Sequence, residues 1–357
     1  MFQPQDYHTF LPQRVASFPH SAFAPIDAIA KTLEPFSIAV VVPAFNVERE
    51  IADVLRSVPS FVRHIVVVND ASRDRTAEIV QQLAGTDPRI VLVSHERNQG
   101  VGGAVITGFQ TALSRGAQLL VKIDGDGQMS PADIPALVAP LVTGEADYAK
   151  GNRFGEFQAL RQMPLLRRTG NLMLSFFAKA ATGYWDVFDP TNGFVAIRTE
   201  ALAQLRLDRV DRGYFFEQSM LGELYLLRAV VKDVYLPARY GTETSHLVVS
   251  SVLRQFPPRV FRSLIRRILL KNFIFDFTME SMYLLVGVPM LLGGVVFGGY
   301  HWLLSIHTGV PAHTGTVVIP AMLIILGVEF CLSAIGLDLA AVPRVPISGG
   351  PLRADKD

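Results

Sequence analysis

Asp124-Gly125-Asp126-Gly127-Gln128 follows directly on the apolar run Leu119-Leu120-Val121-Lys122-Ile123. A short continuous apolar run closed by turn-forming residues reads as a buried strand. Side chains alternate along an extended chain, so carboxylates two residues apart point the same way. Gln128 repeats that spacing, and the strand end is therefore expected to present three oxygen ligands along one edge of a cleft. Hard cations such as Mg²⁺ or Mn²⁺ take ligands of this kind and usually bind phosphates with them. Taken alone, the same residues also read as an Asp/Gly turn ending a strand. The rest of the chain decides.

Upstream the pattern recurs. Ile38-Ala39-Val40-Val41-Val42 is ended by Pro43, His64-Ile65-Val66-Val67-Val68 by Asn69-Asp70, and Ile90-Val91-Leu92-Val93 is a third run. Helical segments are predicted between them, over about 48–58, 74–83 and 100–113. Continuous apolar strands joined by helices mean a mostly parallel α/β sheet covered on both faces. Ligands of such sheets bind beyond the carboxyl ends of the strands. The ends Pro43-Ala44-Phe45-Asn46, Asn69-Asp70-Ala71-Ser72 and Asp124-Gly125-Asp126 are thus expected to converge on one crevice. Beyond about residue 150 the pattern loosens. A helix is expected over 161–181, a turn and strand over Thr191-Asn192-Gly193-Phe194-Val195-Ala196-Ile197, and a helix running from Gly213-Tyr214-Phe215-Phe216-Glu217 to about Arg228.

Half of the 357 residues are hydrophobic, and the net charge of +1 offers no electrostatic argument for nucleic acid. Cys331 is the only cysteine, which rules out disulfides and zinc–cysteine clusters within the chain. Residues 1–35 are rich in Pro, Phe and polar groups, lack the pattern of a signal peptide, and read as an irregular arm. Between Glu280 and Glu329 there is no charged residue of the Asp, Glu, Lys or Arg type. Two apolar blocks there, 282–306 and 317–337, are each long enough to span a hydrocarbon core of about 30 Å. Arg254, Arg259, Arg262, Arg266, Arg267 and Lys271 precede the first block, while Arg344 and Arg353 follow the second. Positive charge on both outer flanks predicts both termini in the cytoplasm. Over 251–272, Val260, Phe261, Leu264, Ile265, Ile268 and Leu269 recur at helical spacing among those basic residues. That is the composition of an interfacial helix, apolar side in the acyl boundary and arginines toward anionic lipid phosphates.

These motifs, in this order, resemble the family 2 glycosyltransferases of GT-A fold, most closely the membrane-anchored polyprenyl-phosphate or dolichyl-phosphate hexosyltransferases. Val41-Val42-Pro43-Ala44-Phe45-Asn46-Val47-Glu48 matches the opening motif, with Phe45 for the usual Tyr. Val67-Val68-Asn69-Asp70-Ala71-Ser72-Arg73-Asp74 matches the second, with Asn69 for Asp and Ala71 for Gly. Asn98-Gln99-Gly100-Val101-Gly102-Gly103-Ala104 matches a helix start, Asp124 to Gln128 the D-x-D-x-Q metal motif, and Thr191-Asn192-Gly193-Phe194 a turn. Phe215-Phe216-Glu217-Gln218-Ser219-Met220-Leu221 matches a further segment in which Ser219 replaces a frequent acid. The likeness covers about residues 36 to 340.

The resemblance implies a nucleotide-diphosphate sugar donor, a polyprenyl-phosphate acceptor and Mg²⁺ or Mn²⁺ as cofactor. Pro43, Ala44, Asn46 and Glu48 would hold the base and ribose, and Asp70 would accept a hydrogen bond from the base. Asp124 and Asp126, joined by Gly125, would hold the cation with Gln128, and Arg153 could add a bond to phosphate. Glu217 is the remaining carboxylate for a base or acceptor-orienting role; Arg239 and Tyr240 are candidates for gripping the acceptor phosphate. Glu329 reads as structural, pairing near the interface or with a neighbouring subunit, so a homo-oligomer stays open.

The expected layout is an arm (1–35), a GT-A domain (36–250), amphipathic juxtamembrane helices (251–280), a two-helix hairpin (281–342) and a cytosolic tail (343–357). The expected location is a cytoplasmic (inner) membrane, with the catalytic domain in the cytosol. A processive synthase would carry a Q-x-x-R-W motif and more spans, whereas Gln255-Phe256-Pro257-Pro258-Arg259 has the wrong spacing and no Trp. A dinucleotide-binding fingerprint starting at Gly100 fails at Val105. A transferase acting on a hydroxyl of a glycolipid or polysaccharide remains an alternative. So does a catalytically silent membrane scaffold, against which the retention of Asp124 and Asp126 argues.

Overall fold

The computed structural model describes residues 32–152, 175–236 and 249–353. Strand β1 (Ile38–Ala44) has no exposed position, and its alternating side chains enter two separate cores. Ile38, Val40 and Val42 face one, Ala39 and Val41 the other. β1 pairs in parallel with β2 (His64–Asn69) and β4 (Leu119–Lys122), and β2 with β3 (Ile90–Ser94). On the far side of β4, β6 (Val195–Arg198) runs antiparallel and joins β5 (Tyr148–Asn152), which pairs in parallel with β7 (Val231–Tyr235). Among the described residues this makes one seven-stranded sheet of order β3-β2-β1-β4-β6-β5-β7. The mostly parallel α/β sheet expected from the sequence is present. β5 and β7 lie outside the predicted strands because neither is an apolar run: each carries a lysine and a second polar residue.

Helices α1 (Ile51–Arg56), α2 (Thr76–Ala84) and α4 (Ile134–Val142) cover one face through Leu55, Val80, Leu137 and Leu141. Helices α3 (Val101–Ser114), α5 (Thr199–Gln204) and α6 (Phe216–Leu226) cover the other through Phe109, Leu202, Phe216 and Leu224. Each such fully buried side chain contributes about 1.5–3 kcal/mol relative to exposure, so the strand ends project from a rigid platform. α3 sits close on the sheet because residue 108 is glycine; a Cβ there would lie 2.2 Å from Val41 Cγ1.

Helix α7 (Val249–Leu269) continues into a π-helical turn (Leu270–Phe275), then α8 (Met279–Thr308) and α9 (Thr314–Ala340) form a hairpin. The last two are long and apolar enough to cross a membrane, and begin and end a few residues beyond the predicted blocks. Only 11% and 17% of their most apolar windows is buried, unlike the mostly buried core helix of a soluble domain. Glycines set their close approach: a Cβ on Gly327 would lie 2.6 Å from Leu291 N.

Three details depart from expectation. The apolar residues of α7 do not share one face. Val260 and Leu264 pack on Ala181 and Phe215 of the sheet domain, while Phe261, Ile265 and Leu269 are exposed. Arg267 and Lys271 likewise make ion pairs within the protein. Both Nη atoms of Arg267 donate to Asp338 at 2.8 Å, and Lys271 Nζ donates to Asp338 and, at 2.7 Å, to Glu280. Trp185 Nε1 and Tyr225 OH complete the shell of Asp338, so this cluster ties the base of the hairpin to α7 and α6. Glu329, in contrast, is exposed on α9 and makes no ion pair among the described residues. Finally, within the segment expected as a cytosolic tail, residues 347–352 pack on the sheet domain, a contact the sequence did not signal. Ile347 N and Ser348 N donate to the buried Asp147, Arg198 Nη1 donates to Gly350 O, and Leu352 enters the core under α4.

Candidate active site

Three parallel strands, β1, β2 and β4, end side by side, and their loops are laced together. Asp70 N donates to Ala44 O, and Ser72 N to Asn69 Oδ1. Asn46, held in the left-handed region at φ 54°, accepts from Arg73 N through Oδ1 and donates its own N–H to Ser72 Oγ. Glu48 accepts from Arg75 N and donates its backbone N–H to Asp74 Oδ2. The residues expected around the base and ribose therefore also brace the loops of β1 and β2 against each other. Thr76 and its backbone bonds hold the Asp74 carboxyl below its usual range, outweighing the effect of burial.

Asp70 is buried. Its carboxylate accepts from Gln99 N and Gly100 N, both at 2.8 Å, and contacts His95 Nδ1 at 2.7 Å. It thereby fixes the loop that enters α3, and its oxygens are turned to that loop. His95 Nε2 in turn contacts Thr107 Oγ1, a pairing with no local sequence signal.

Beyond β4 the chain does not stay extended. Gly125 and Asp126 form a turn, Gly127 takes φ 74°, and Gln128 N donates to Asp126 Oδ1. The alternation expected to align Gln128 with the two carboxylates stops at Asp124. Gly125 is needed for this turn to slide under the β1 loop: a Cβ would lie 3.3 Å from Pro43 O and from Val47 Cγ2.

Below the turn lies a buried charge cluster that sequence reasoning passed over. Lys122 Nζ lies 2.7 Å from Asp124 Oδ1 and 3.6 Å from Glu217 Oε1, with its side chain only 1% exposed. Burial alone would push the Lys122 ammonium down, but Asp124, Glu217 and Asp126 together hold it above the ordinary lysine value. Glu217, in the first turn of α6, also faces β5. Burial, with a contribution from Glu217, raises the Tyr148 hydroxyl well above its usual range. Lys150 Nζ donates to Asn192 O, and burial lowers its pKa to about 8 despite the charges of Glu217 and Asp189.

Asn192 Nδ2 donates to Gly151 O and Gln218 Nε2 to Pro190 O, so the turn over 191–194 is pinned between β5 and α6. Gly193 occupies the tightest point. A Cβ there would lie 2.3 Å from Lys122 Nζ, 3.0 Å from Asp124 Oδ2 and 3.3 Å from Glu217 Oε1. The signal for this cluster was in the sequence, in a lysine inside an otherwise apolar strand.

The structure thus brings Asp124, Asp126 and Glu217 around Lys122 and sets the Pro43–Glu48 and Asn69–Asp74 loops beside them. Ser219, at the position of a frequent family acid, donates to Phe216 O and accepts from Asp211 N. Arg153, Arg239 and Tyr240 lie outside the described residues. Carboxylate and amide oxygens suit a hard divalent cation, and three carboxylates outnumber the two buried lysines, so the donor set fits one. Among the described residues no three or more His, Cys, Asp or Glu side chains group closely enough to hold a metal ion by themselves. Such a site would draw its remaining ligands from phosphate and water, as Mg²⁺ sites commonly do.

Residues 39–206 match the family model described as glycosyl transferase family 2. The UDP-N-acetylglucosamine--dolichyl-phosphate N-acetylglucosaminyltransferase of Methanococcus voltae is 32% identical over 191 residues, 49% of this chain and 76% of that protein. The chain belongs to glycosyl transferase family 2. The polyprenol monophosphomannose synthase of Mycolicibacterium smegmatis is 33% identical over 185 residues, 50% of this chain and 68% of that one. Among solved structures, glucosyl-3-phosphoglycerate synthase of Mycobacterium tuberculosis with Mg²⁺ and UDP superposes with TM-score 0.51 at 22% identity, covering 70% of this chain and 85% of that one. That likeness shows the GT-A fold. This family 2 glycosyltransferase therefore carries its D-x-D at the end of β4, backed by Lys122, with α6 supplying Glu217 across from it.

Proposed function

We propose that this glycosyltransferase moves a hexose, with inversion, from a nucleotide-diphosphate sugar to a polyprenyl phosphate at the cytoplasmic face of a membrane. The observation that carries the reading is the short physical connection between site and membrane. Glu217 opens α6, whose Tyr225 contacts Asp338 at the base of a hairpin long and apolar enough to span a bilayer. The Methanococcus and Mycolicibacterium relatives, named for dolichyl-phosphate and polyprenol products, support the lipid phosphate as acceptor. The Mycobacterium synthase structures with UDP and Mg²⁺ or Mn²⁺ support a divalent cation.

Asp124 and Asp126 would hold that cation against the donor diphosphate, where it supplies neutralisation of the charge that develops on the leaving group; Gln128, turned out of line with them, is left out of this ligand set. Lys122 fixes the orientation of Asp124 and keeps two acids, Asp124 and Glu217, close together without repulsion. The β1 and β2 loops receive the nucleoside. A lipid phosphate is already ionised at neutral pH, so the acceptor needs orientation more than a strong base, and Glu217 is placed to provide it. Arg153 is proposed as a further contact to the donor phosphate, and Arg239 and Tyr240 as contacts to the acceptor phosphate.

Membranes containing the protein, incubated with radiolabelled UDP- and GDP-sugars and extracted with chloroform, test this. Label in the organic phase, sensitive to mild acid and lost in Asp126→Asn with expression unchanged, is the expected result. No organic-phase label with any donor, from folded protein, would overturn the lipid-phosphate assignment.

A further inference from the structure

Helix α7 carries three rows of side chains, and each faces something different. Val260 and Leu264 face the sheet domain, with Arg267 beside them reaching Asp338 of α9 and Ala180 O, while Phe261, Ile265 and Leu269, spaced four apart, are exposed. Between these two rows lie Arg259, Arg262 and Arg266, at the i, i+3, i+7 spacing of one helical stripe. This basic row does not face open solvent alone. It lines a cavity of about 450 Å³ between α7 and α6, to which α6 contributes Ser219, Gly222 and Leu226. Glu217 projects from the other side of α6 toward Lys122, so the cavity is separate from the D-x-D crevice.

The charge in this cavity is unbalanced. Five arginines line it, at 209, 259, 262, 266 and 267, with Asp211 as the one acid among its lining residues. Arg259 lies 3.5 Å from Asp211, Arg266 pairs with Glu223, and Arg267 is engaged with Asp338. Arg209 and Arg262 make no ion pair among the described residues. Arg266 Nη2 and Arg267 Nε are buried without a hydrogen-bond partner. Buried guanidinium N–H groups without an acceptor are costly, and planar forks of this kind match phosphate oxygens. The cavity is therefore short of an anion with several acceptor oxygens.

The adjoining row says which source of phosphate fits. Phe261, Ile265 and Leu269 lie next to the basic row, and Phe273, Ile274, Phe275 and Phe277 extend the exposed apolar surface to the start of α8. A soluble phosphate has no use for that surface. A lipid with its chains along it would bring its headgroup phosphate to the arginines.

We propose that the cavity between α6 and α7 binds the headgroup phosphate of an anionic diacyl phospholipid, apart from the site of sugar transfer. The inference rests on the membrane placement proposed above, but not on the identity of donor or acceptor. Occupancy neutralises the arginine row and seats α7 against α6, the helix that carries Glu217.

The test uses the full-length protein in a neutral detergent without sugar donor, titrated with dioctanoyl phosphatidylglycerol, dioctanoyl phosphatidylcholine or glycerol 3-phosphate, and read by thermophoresis. Saturable binding of the phosphatidylglycerol is expected, with binding of the other two weaker by about tenfold or more. Arg209→Gln with Arg262→Gln should weaken the phosphatidylglycerol by a similar factor, while Arg56→Gln with Arg115→Gln, an equal change of charge elsewhere, should leave it unchanged. Equal binding by the cavity variant, or equal binding of the phosphatidylcholine, would overturn the site. Glycerol 3-phosphate binding as tightly as the lipid would make it a site for soluble phosphate instead and overturn the lipid assignment. Since no glycosyl transfer is read, failure here leaves the proposed reaction standing, and failure of the transfer assay leaves this binding result interpretable.

Discussion

Replacing Asp338 by alanine should be the most destabilising single change at the junction between the hairpin and the sheet domain. The carboxylate is buried and receives both Nη atoms of Arg267 at 2.8 Å, Lys271 Nζ, Trp185 Nε1 at 2.9 Å and Tyr225 OH at 3.3 Å. Without it, Arg267 keeps one acceptor, Ala180 O, for a guanidinium whose side chain is 4% exposed. Removing one partner of a buried ion pair costs about 3–5 kcal/mol, because the other charge stays behind in a poor solvent. Lys271 is more exposed and retains Glu280, which places the expected loss toward the lower part of that range. The assay is denaturant unfolding of purified protein in detergent, followed by intrinsic fluorescence. The control is the double variant Asp338→Leu with Arg267→Met, which removes both charges and should recover at least about half of the loss, as apolar replacements of buried pairs do. A loss below about 1 kcal/mol for Asp338→Ala, or simple additivity of Asp338→Leu and Arg267→Met, would refute the reasoning.

Three further predictions follow from named contacts. Gly193→Ala forces a methyl group to within 2.3 Å of a lysine too buried to swing away, so kcat should fall by about tenfold or more with the secondary structure unchanged by circular dichroism. Asp233 has its pKa raised to about 6, chiefly by burial. A carboxyl whose folded pKa is raised favours the fold while protonated in it, so stability should fall as pH rises from about 4 to 6 and stay reduced above. Asp233→Asn should then raise stability by about 1–3 kcal/mol at pH 7 and by little at pH 4, measured by thermal melts at both; equal gains at the two pH values would exclude the cause. Leu352→Ala should cost about 2–3 kcal/mol although it lies in the last residues of the chain, because its side chain enters the core beneath α4.

What was legible in the sequence was local. The runs that became β1, β2, β3 and β4 are apolar because both faces are covered, and their polar ends named the crevice correctly. The D-x-D was placed at the right strand end, but the alternation of an extended chain was carried too far. Two glycines and an Asp126 side chain that accepts from Gln128 N turn the chain where a strand would have continued. β5 and β7 were missed for a different reason. Their polar residues are satisfied by distant groups, Lys150 by Asn192 O and Asp233 by Asn152 Nδ2, and a window of sequence shows the polarity without the partner. Helix α7 was read as two-sided and has three sides, because Arg267 reaches Asp338 while Arg259, Arg262 and Arg266 line the α6 cavity.

The misses at β5, β7 and α7 share one physical origin. A charge can be buried only with a countercharge or with hydrogen bonds, and here the compensating group lies far along the chain. Lys122 is matched by the distant Glu217 as well as by Asp124 beside it, Arg267 and Lys271 by Asp338, and Asp147 by backbone N–H groups about 200 residues on, at Ile347 and Ser348. In each case one half is visible in the sequence as a charge where the local pattern demands an apolar residue: a lysine in β4, an aspartate near the end of α9. The other half is not, since nothing local marks which distant group it will meet. Such an anomaly is therefore a statement that a long-range contact exists, made before the contact is known. Applied to Lys122, it would have predicted an acid opposite the D-x-D from the strand alone. Applied to Glu329, it predicts the opposite. This acid lies on the exposed face of an apolar helix with no countercharge among the described residues, a placement that is costly inside a bilayer.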